Sequence, residues 1–283
     1  MGALLAWFDR HERPLPWRSS TPWGVLVSEF MLQQTPVDRV LPLWQEWLER
    51  WPRPEDLADA PLSDVLRAWG RLGYPRRAKR LHESAAQIVR LHGGDVPRER
   101  AALLCLPGVG DYTAAAVQAF AFGQRSVVMD TNVRRVIARS LDGRAAPLPH
   151  VTADERARAD DLWPQDDARS ARWSAAVMEY GALVCTAKRP ACATCIVMEA
   201  CAWTALGQPA DDRAPRRQPE YQGSDRQARG HVLGLLRDRH DVLSRSAIEA
   251  SWPDASQAGR ALDGLVADGL VAVRPRGRFS LPG

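Results

Sequence analysis

The sequence predicts a mostly α-helical protein that ends in a small α+β domain. Apolar residues recur at spacings of three and four through most of the chain up to residue 206, which is the period of amphipathic helices. Residues 207–226 are rich in proline and charge and contain no aliphatic side chain larger than alanine, so we expect a linker there. Beyond the linker the helical spacing finally gives way to strict alternation, which is typical of strands.

Composition and charge narrow the class of protein. The chain has 283 residues, of which 45% are hydrophobic, so it can bury a sizeable core. The formal net charge of +4 fits a polyanionic partner without requiring one. No apolar run approaches the roughly 20 residues of a membrane span, and residues 1–10 lack the pattern of a signal peptide. We therefore expect a cytoplasmic protein that does not enter a membrane.

The last part of the chain is predicted to form a winged-helix-like domain. Apolar spacing indicates helices around 232–236, 247–250 and 262–266. Residues 271–281 then alternate apolar and polar side chains around a Pro-Arg-Gly turn, which indicates a β-hairpin. A packing module without DNA contact is the alternative, but the arginines of the turn favour contact with phosphates: Arg274, Arg276 and Arg278.

Four of the five cysteines crowd into one short segment. Cys185, Cys192, Cys195 and Cys201 are separated by six, two and five residues. In a reducing compartment such a group indicates metal binding before disulfides, and four thiolates suit either a [4Fe-4S] cluster or a structural zinc ion. Zinc is slightly disfavoured, because its commonest pattern pairs two short knuckles. Cys105 lies apart in an apolar run, where we expect a core residue.

A glycine-rich turn precedes a predicted apolar helix. Gly108, Val109 and Gly110 permit a tight turn and leave backbone N–H groups uncovered at the start of the helix that runs through 114–120. Such a helix N-terminus binds anions, and a DNA phosphate is one of them, although ordinary turns use the same residues. A contact of this kind reads no base sequence.

Two carboxylates stand in unusual surroundings. Glu29 lies within the apolar segment LVSEFML, which would raise its pKa if the side chain were buried; it is either on the exposed face of its helix or functional. Asp130 stands just ahead of the helix predicted over 133–140, where an N-cap role would explain it equally well.

The segment LPGVGDYTAAAV, followed by VVMDTNVRRVIAR, resembles the helix-hairpin-helix motif and downstream aspartate of the endonuclease III and MutY superfamily of DNA glycosylases. The resemblance extends from LPWR at 15–18 through the last clustered cysteine. It implies one [4Fe-4S] cluster on the four cysteines. It also implies two domains, an iron-sulfur helical domain (1–20 and 128–206) and a six-helix barrel with the hairpin (21–127). The linker (207–226) and the winged-helix-like domain (227–283) follow them.

The resemblance assigns the chemistry. SEFMLQQT is similar to the MutY segment that carries the catalytic glutamate, so Glu29 would be the general acid at adenine N7 and would later handle water. Asp130 would stabilise the cationic sugar or form a transient covalent adduct with it. Tyr112 stands where bifunctional members carry a lysine, which implies weak or absent lyase activity, although it could be a packing aromatic. Asn132 matches the family asparagine, while Thr131 departs from the glycine beside it.

The resemblance also assigns contacts to DNA and to the base. Extruding a base from the duplex requires side chains that fill the gap it leaves. The matching wedge and opposite-base positions are Gln34, Thr35, Leu72 and Tyr74, in addition to the hairpin. The positions that match the lining of the family's adenine pocket are Trp17, Arg18 and Glu179.

We therefore predict a monofunctional DNA glycosylase of base excision repair. It would be a monomer that acts in the nucleoid on double-stranded DNA and removes adenine opposite 8-oxoguanine or guanine. Two alternatives remain: a glycosylase for another base, such as thymine opposite guanine, and a catalytically silent iron-sulfur regulator that binds DNA. The adenine prediction is weakened by the C-terminus, because typical MutY proteins carry a NUDIX-like domain there.

Overall fold

The computed structural model describes residues 2–211, 213, 220–239 and 242–283. Within them the chain is mostly helical, as predicted. The α-helices are α1 (Gly2–His11), α2 (Pro22–Leu32), α3 (Val37–Arg50), α4 (Pro54–Ala58), α5 (Leu62–Trp69), α6 (Arg76–His92), α7 (Arg100–Leu104), α8 (Asp111–Phe122), α9 (Thr131–Ser140), α10 (Ala153–Leu162), α11 (Asp167–Leu183), α12 (Ala202–Ala205), α13 (Asp225–Asp238), α14 (Arg245–Glu249) and α15 (Ala255–Ala267). None of the described helices is long and apolar enough to cross a membrane.

The chain folds into two compact units. The first contains Met1–Leu26, Arg98–Leu104 and Val109–Pro215. The second contains Val27–Pro97, Cys105–Gly108 and Arg216–Gly283. The first unit extends beyond the predicted iron-sulfur domain, since it also contains residues 21–26, α7 and α8, and α8 packs against α11. The C-terminal helices lie in the second unit, where α13 packs against α5. Part of the predicted linker falls outside the described residues, and α13 already includes its last two residues.

The first unit is built around α11. Helices α1, α8 and α9 all pack against it. Trp7 and Phe8 from α1, Val133 and Ile137 from α9, and Tyr180 from α11 are buried in one cluster. The Trp7 and Tyr180 rings meet edge to face with centroids 4.9 Å apart, a favourable aromatic geometry. This core fixes the start of α9, where Asp130 lies.

The second unit is organised by α6, against which α4 and α5 pack. Leu81, Ala85 and Ile88 form a fully buried stripe at spacings of four and three along α6. The Trp47 ring contacts that of Trp69 from α5 edge to face at 5.6 Å. The stripe holds α5 and α6 together, and the loop between them, residues 70–75, is therefore anchored at both ends.

The C-terminal module, residues 225–283, contains α13, α14, α15 and a small antiparallel sheet. The strands are β1 (Leu243–Ser244), β2 (Ala272–Arg274) and β3 (Arg278–Ser280), in the order β1-β3-β2. Phe279 pairs with Val273 on one side and with Leu243 on the other. The predicted hairpin and helices are confirmed, whereas β1 was missed because two residues carry no readable alternation. The hairpin turn places Arg276 at φ 62° on the surface.

Candidate functional site

The predicted hairpin connects α7 to α8. Gly108 has a φ of 84°, and a Cβ there would lie 2.8 Å from Cε1 of Phe30, so both the conformation and the close packing require glycine. The Ser84 hydroxyl donates to the carbonyl of Pro107 at 2.6 Å and fixes the approach to the turn. Gly110 is the N-cap of α8, and no atom lies within 4 Å of a Cβ placed on it. The backbone is thus open in front of the helix, as an anion site requires.

Residues next to the hairpin are packed in different ways. Val109 is buried, and Tyr112 is partly buried against an alanine-rich cluster, so the packing role left open for this tyrosine is present. Cys105 is exposed, and the prediction of a core residue was wrong. Leu103 and Leu106, three residues apart in this apolar run, are the side chains buried in the protein interior. Cys105 between them therefore faces outward.

Glu29 lies in the middle of α2. Its exposed fraction is 5%, and its neighbours Ser28 and Phe30 are fully buried. The structure therefore rejects the exposed face of the helix as its location. A glutamate is rarely so buried, because removing a carboxylate from water is costly. Glu29 belongs to the second unit and Asp130 to the first.

Asp130 caps α9. Its Oδ1 accepts a hydrogen bond from the backbone N–H of Val133 at 2.6 Å, and its Oδ2 accepts one from Nδ2 of Asn132 at 2.6 Å. Burial raises the pKa of Asp130 above its ordinary value, although these hydrogen bonds and the charge of Arg135 oppose the rise. The carboxylate is thus oriented by the helix terminus and yet held in surroundings that penalise its negative charge.

The residues that position Asp130 are joined by a hydrogen-bond network that the sequence did not predict. Oδ1 of Asn132 accepts a hydrogen bond from Nη2 of Arg135 at 2.8 Å, and the same nitrogen donates to the carbonyl of Gly181 at 2.6 Å. A Cβ on Gly181 would lie 2.8 Å from the Asn132 carbonyl oxygen, so α11 can approach α9 only through glycine. Thr131 is the first residue of α9, where a helical conformation needs no glycine.

The predicted wedge residues lie on two loops of the second unit. Gln34 (φ 55°) and Tyr74 (φ 49°) are two of the four non-glycine residues with positive φ in the described ranges. Both are exposed, Tyr74 by 47%. Such conformations are unusual for residues other than glycine and concentrate at functional sites. Thr35 and Leu72, in contrast, are buried.

A buried arginine joins these two loops. Nη1 of Arg77 donates to the carbonyls of Phe30 and Met31, both at 3.0 Å, and to that of Gln33. Nη2 donates to Thr35 Oγ1 at 3.0 Å and to the Gly73 carbonyl at 3.2 Å. Its guanidinium also lies over the Tyr74 ring, 5.2 Å from the centroid. Arg77 therefore sets the positions of both exposed wedge side chains.

Glu179 holds a buried ion-pair network at the N-terminal segment. Its Oε2 lies 2.7 Å from Nη2 of Arg13 and 3.1 Å from Nη2 of Arg18, and the glutamate side chain is only 2% exposed. Burial would raise the pKa of Glu179, but the hydrogen bonds from Arg13 and the charges of both arginines outweigh it and hold the pKa below its ordinary value. Trp17, between these arginines in sequence, is buried as well.

We expect Glu179→Gln to destabilise the fold at neutral pH by about 1–3 kcal/mol, since two arginines would lose their carboxylate. Because the folded pKa is depressed, the stabilisation is present above the unfolded pKa of about 4.3 and is lost as pH falls through the folded value. Urea unfolding between neutral and acidic pH measures it: the gap between wild type and variant should close with falling pH. Glu12→Gln, on an exposed partner of Arg18, is the control. A gap that stays constant with pH would contradict this account.

The clustered cysteines line one cavity of the first unit. Cys185, Cys192, Cys195 and Cys201 all contribute to its wall, which is otherwise largely apolar. In the described residues no group of three His, Cys, Asp or Glu side chains is arranged to hold a single metal ion. The donor set, four thiols around an apolar cavity, fits an iron-sulfur cluster, which is larger than one ion and keeps its cysteine ligands further apart.

Two buried side chains contact these sulfurs. Arg139 donates to Cys185 Sγ at 3.5 Å and to the carbonyl of Thr186 at 2.7 Å, and it lies over the Trp203 ring. The Tyr180 hydroxyl donates to Cys195 Sγ at 3.0 Å. Hydrogen bonds to sulfur and a nearby positive charge stabilise thiolate-bound metal groups. Neither contact could be predicted from the sequence.

The fold and the hairpin define a class of DNA repair protein. Residues 27–158 match the HhH-GPD superfamily of base excision DNA repair proteins. An adenine DNA glycosylase of Mycobacterium tuberculosis is 51% identical over 284 residues, which cover 99% of this chain and 92% of that protein. Another, of Mycolicibacterium smegmatis, is 49% identical over 283 residues, which cover 99% of this chain and 95% of that protein. The chain belongs to the adenine DNA glycosylase family.

Solved structures agree on the fold. A thermostable thymine-DNA glycosylase superposes with a TM-score of 0.65 at 29% identity and covers 72% of this chain and 94% of its own. A non-covalent complex of endonuclease III with DNA superposes with a TM-score of 0.63, over 73% of this chain and 94% of that chain. Its identity is 22%, so it supports the fold alone.

Proposed function

We propose that the protein hydrolyses the N-glycosidic bond of adenine mispaired with 8-oxoguanine or guanine in double-stranded DNA. The observation that carries this proposal is the buried carboxyl of Glu29 in α2. Family membership supports it, because the similar proteins of Mycobacterium and Mycolicibacterium are adenine DNA glycosylases. The protein would act as a monomer.

Glu29 supplies the proton in this proposal. Adenine leaves deoxyribose readily only when N7 is protonated, and burial away from water favours the protonated form of a carboxyl. As the bond breaks, its electron pair goes to the base and C1′ becomes an oxocarbenium-like cation. The glutamate, now ionised, then takes a proton from the water that attacks C1′.

Asp130 supplies negative charge in this proposal. The raised pKa of Asp130 records the cost of keeping its charge in partly buried surroundings. A cation that develops at the sugar would offset this cost, so the carboxylate stabilises the transition state more than the ground state. The hydrogen bonds from Val133 and Asn132 orient it for this task. The geometry is equally compatible with a transient covalent adduct.

The hairpin and the wedge loops would hold the DNA. The open helix start at Gly108, Val109 and Gly110 provides N–H donors for a phosphate. Exposed Gln34 and Tyr74 would fill the stack after the adenine has been extruded. The buried Thr35 and Leu72 support these loops from beneath and would reach DNA only after a local movement.

The four clustered cysteines would hold one [4Fe-4S] cluster, which supplies a rigid cross-link among the segments of the first unit when bound. We expect the protein purified without oxygen to contain about four irons and four sulfides per chain and to absorb broadly in the visible range. Cys192→Ser should lower the iron content, whereas Cys105→Ser, on the exposed cysteine outside the cavity, should not. Stoichiometric zinc without sulfide would contradict the cluster.

Tyr112 makes the enzyme monofunctional in this proposal. A phenol cannot form a Schiff base with the sugar, so the product should be an intact strand with an abasic site. We expect nicking of an adenine duplex only after alkali, and no product trapped by borohydride. Tyr112→Lys should make a trapped adduct detectable, whereas Tyr112→Phe should not. Nicking without alkali by the wild type would contradict this assignment.

A second candidate substrate is thymine opposite guanine, favoured by the structural similarity to a thymine-DNA glycosylase. A panel of duplexes separates the candidates: adenine opposite 8-oxoguanine, adenine opposite guanine, thymine opposite guanine, and thymine glycol. Release from the first two alone supports the proposal. Absence of release from every duplex, together with tight DNA binding, would leave the silent regulator.

A further inference from the structure

The C-terminal module contacts both ends of the Tyr74 loop, residues 70–75. Its helix α13 reaches the first residue of the loop, since the Arg237 guanidinium donates to the Gly70 carbonyl. Its residue Asp268, directly after α15, accepts a hydrogen bond from Nη2 of Arg76 at 2.5 Å, just beyond the other end. All these residues belong to the second compact unit.

Asp268 is held by a residue of its own module as well as by Arg76 next to the loop. Its Oδ2 accepts from Nη2 of Arg229 on α13 at 2.5 Å, and its side chain is only 12% exposed. Next to it, a Cβ on Gly269 would lie 3.1 Å from Cε of Lys79, so the module backbone packs closely against α6. The pair of Asp268 with Arg229, whose side chain is 30% exposed, is less screened by water than its pair with Arg76, whose side chain is 61% exposed.

The loop itself depends on outside support. Gly70 (φ 55°), Gly73 (φ 89°) and Tyr74 (φ 49°) adopt positive φ, and a chain without tertiary contacts holds such a sequence of conformations only rarely. From the interior, Trp69 Nε1 and Arg77 donate to the Gly73 carbonyl at 2.9 and 3.2 Å. These two bonds hold the middle of the loop, whereas the contacts of the module add to the support of its two ends.

We propose that the C-terminal module braces the Tyr74 loop, with Asp268 and Arg237 as positioning residues for recognition of the base pair. The inference rests on the proposed function for the task of Tyr74, but the brace itself stands on contacts within the second unit. Through these contacts the C-terminal module would tune how well the enzyme tells a mispair from a normal pair.

Hydrogen exchange tests the brace. The amides of Gly70, Leu72 and Arg77 donate to carbonyls within or beside the loop and report its opening. In Asp268→Asn we expect these amides to exchange about tenfold faster, since a charge-assisted bond is lost, while the thermal midpoint stays close to wild type. Asp268→Glu, which keeps the charge, should restore most of the protection.

Asp263→Asn is the matched control. Asp263 lies on α15, is 63% exposed and pairs with Arg245 inside the module. Its variant should leave exchange of the loop unchanged. Asp268→Asn also removes the partner of Arg229 inside the module. If this variant disturbs the module, Arg76→Gln is the deciding test of the brace, because it removes only the bond next to the loop. Unchanged loop exchange in Arg76→Gln would overturn the brace.

Kinetics separate positioning from chemistry. We expect Asp268→Asn to lower kcat/KM for the adenine–8-oxoguanine duplex about tenfold and to change kcat by less than about twofold, because the catalytic groups are untouched. An equal loss in both parameters would overturn the positioning role. If the wild type releases no adenine, the proposed function fails, and hydrogen exchange still decides whether the module braces the loop.

Discussion

Glu29→Gln should lower the single-turnover rate of adenine release by about 10²–10⁴-fold, which is the range of a lost general acid. The amide has nearly the shape of the carboxyl, so the packing of α2 around its buried residues Ser28 and Phe30 is kept, but it has no acidic proton for the base. Binding of the mispaired duplex should change little, because the loss falls on the transition state rather than on the ground state. Quenched-flow release of adenine and fluorescence anisotropy measure the two quantities.

Glu46→Gln is the control for this experiment, since Glu46 is an exposed glutamate on α3. It should release adenine at the wild-type rate. A Glu29→Gln enzyme that keeps a rate within threefold of wild type, with unchanged folding, would show that Glu29 is a buried structural glutamate. The proton would then have to come from elsewhere.

Asp130→Asn should reduce the rate by about 10²–10³-fold, the size expected when one electrostatic contact to a developing charge is removed. Asparagine is as good an N-cap as aspartate, so the bond to the Val133 N–H and most of the stability of α9 should survive, whereas the hydrogen bond from Nδ2 of Asn132 is lost because it would meet an NH2 group. The substitution therefore separates the two roles that the sequence left open for this residue. Since burial raises the pKa of Asp130, activity should also fall as pH drops through that raised value.

A matched N-cap provides the control. Asp166 caps α11 by accepting from the N–H of Arg169 at 2.8 Å, in the same way as Asp130 caps α9. Asp166→Asn should leave both stability and rate near wild type. If Asp130→Asn were equally silent in the rate, the aspartate would be a helix cap and the role in stabilising the sugar would be lost.

The sequence revealed the functional motifs more readily than the residues that hold those motifs in place. The hairpin at 108–110 and the grouping of the four cysteines around one cavity could be predicted, because turn glycines and clustered thiols are distinctive residue types at fixed spacings. Arg77 could not, since it lies in the run RRAKR, which resembles a solvated charged face. One signal was available: Arg77 stands four residues before Leu81, on the same buried stripe of α6.

Most of the other contacts that could not be predicted from the sequence join distant segments of the chain. Arg13 meets Glu179 across 166 residues of sequence, and Arg76 meets Asp268 across 192. Local periodicity carries no information about such pairs. The error at Cys105 has a local cause: an apolar neighbourhood in sequence did not mean burial, because Leu103 and Leu106 on either side take the buried positions.

Release of adenine rather than thymine distinguishes the proposed enzyme from the alternative glycosylase, and one experiment compares the two bases side by side. Two duplexes that differ only in the target base, adenine or thymine, opposite the same guanine are incubated with excess enzyme, and the free base is quantified by chromatography. We expect release of adenine, an intact strand until alkali is added, and no release of thymine. Release of thymine at a rate equal to or above that of adenine would show that the enzyme is not specific for adenine.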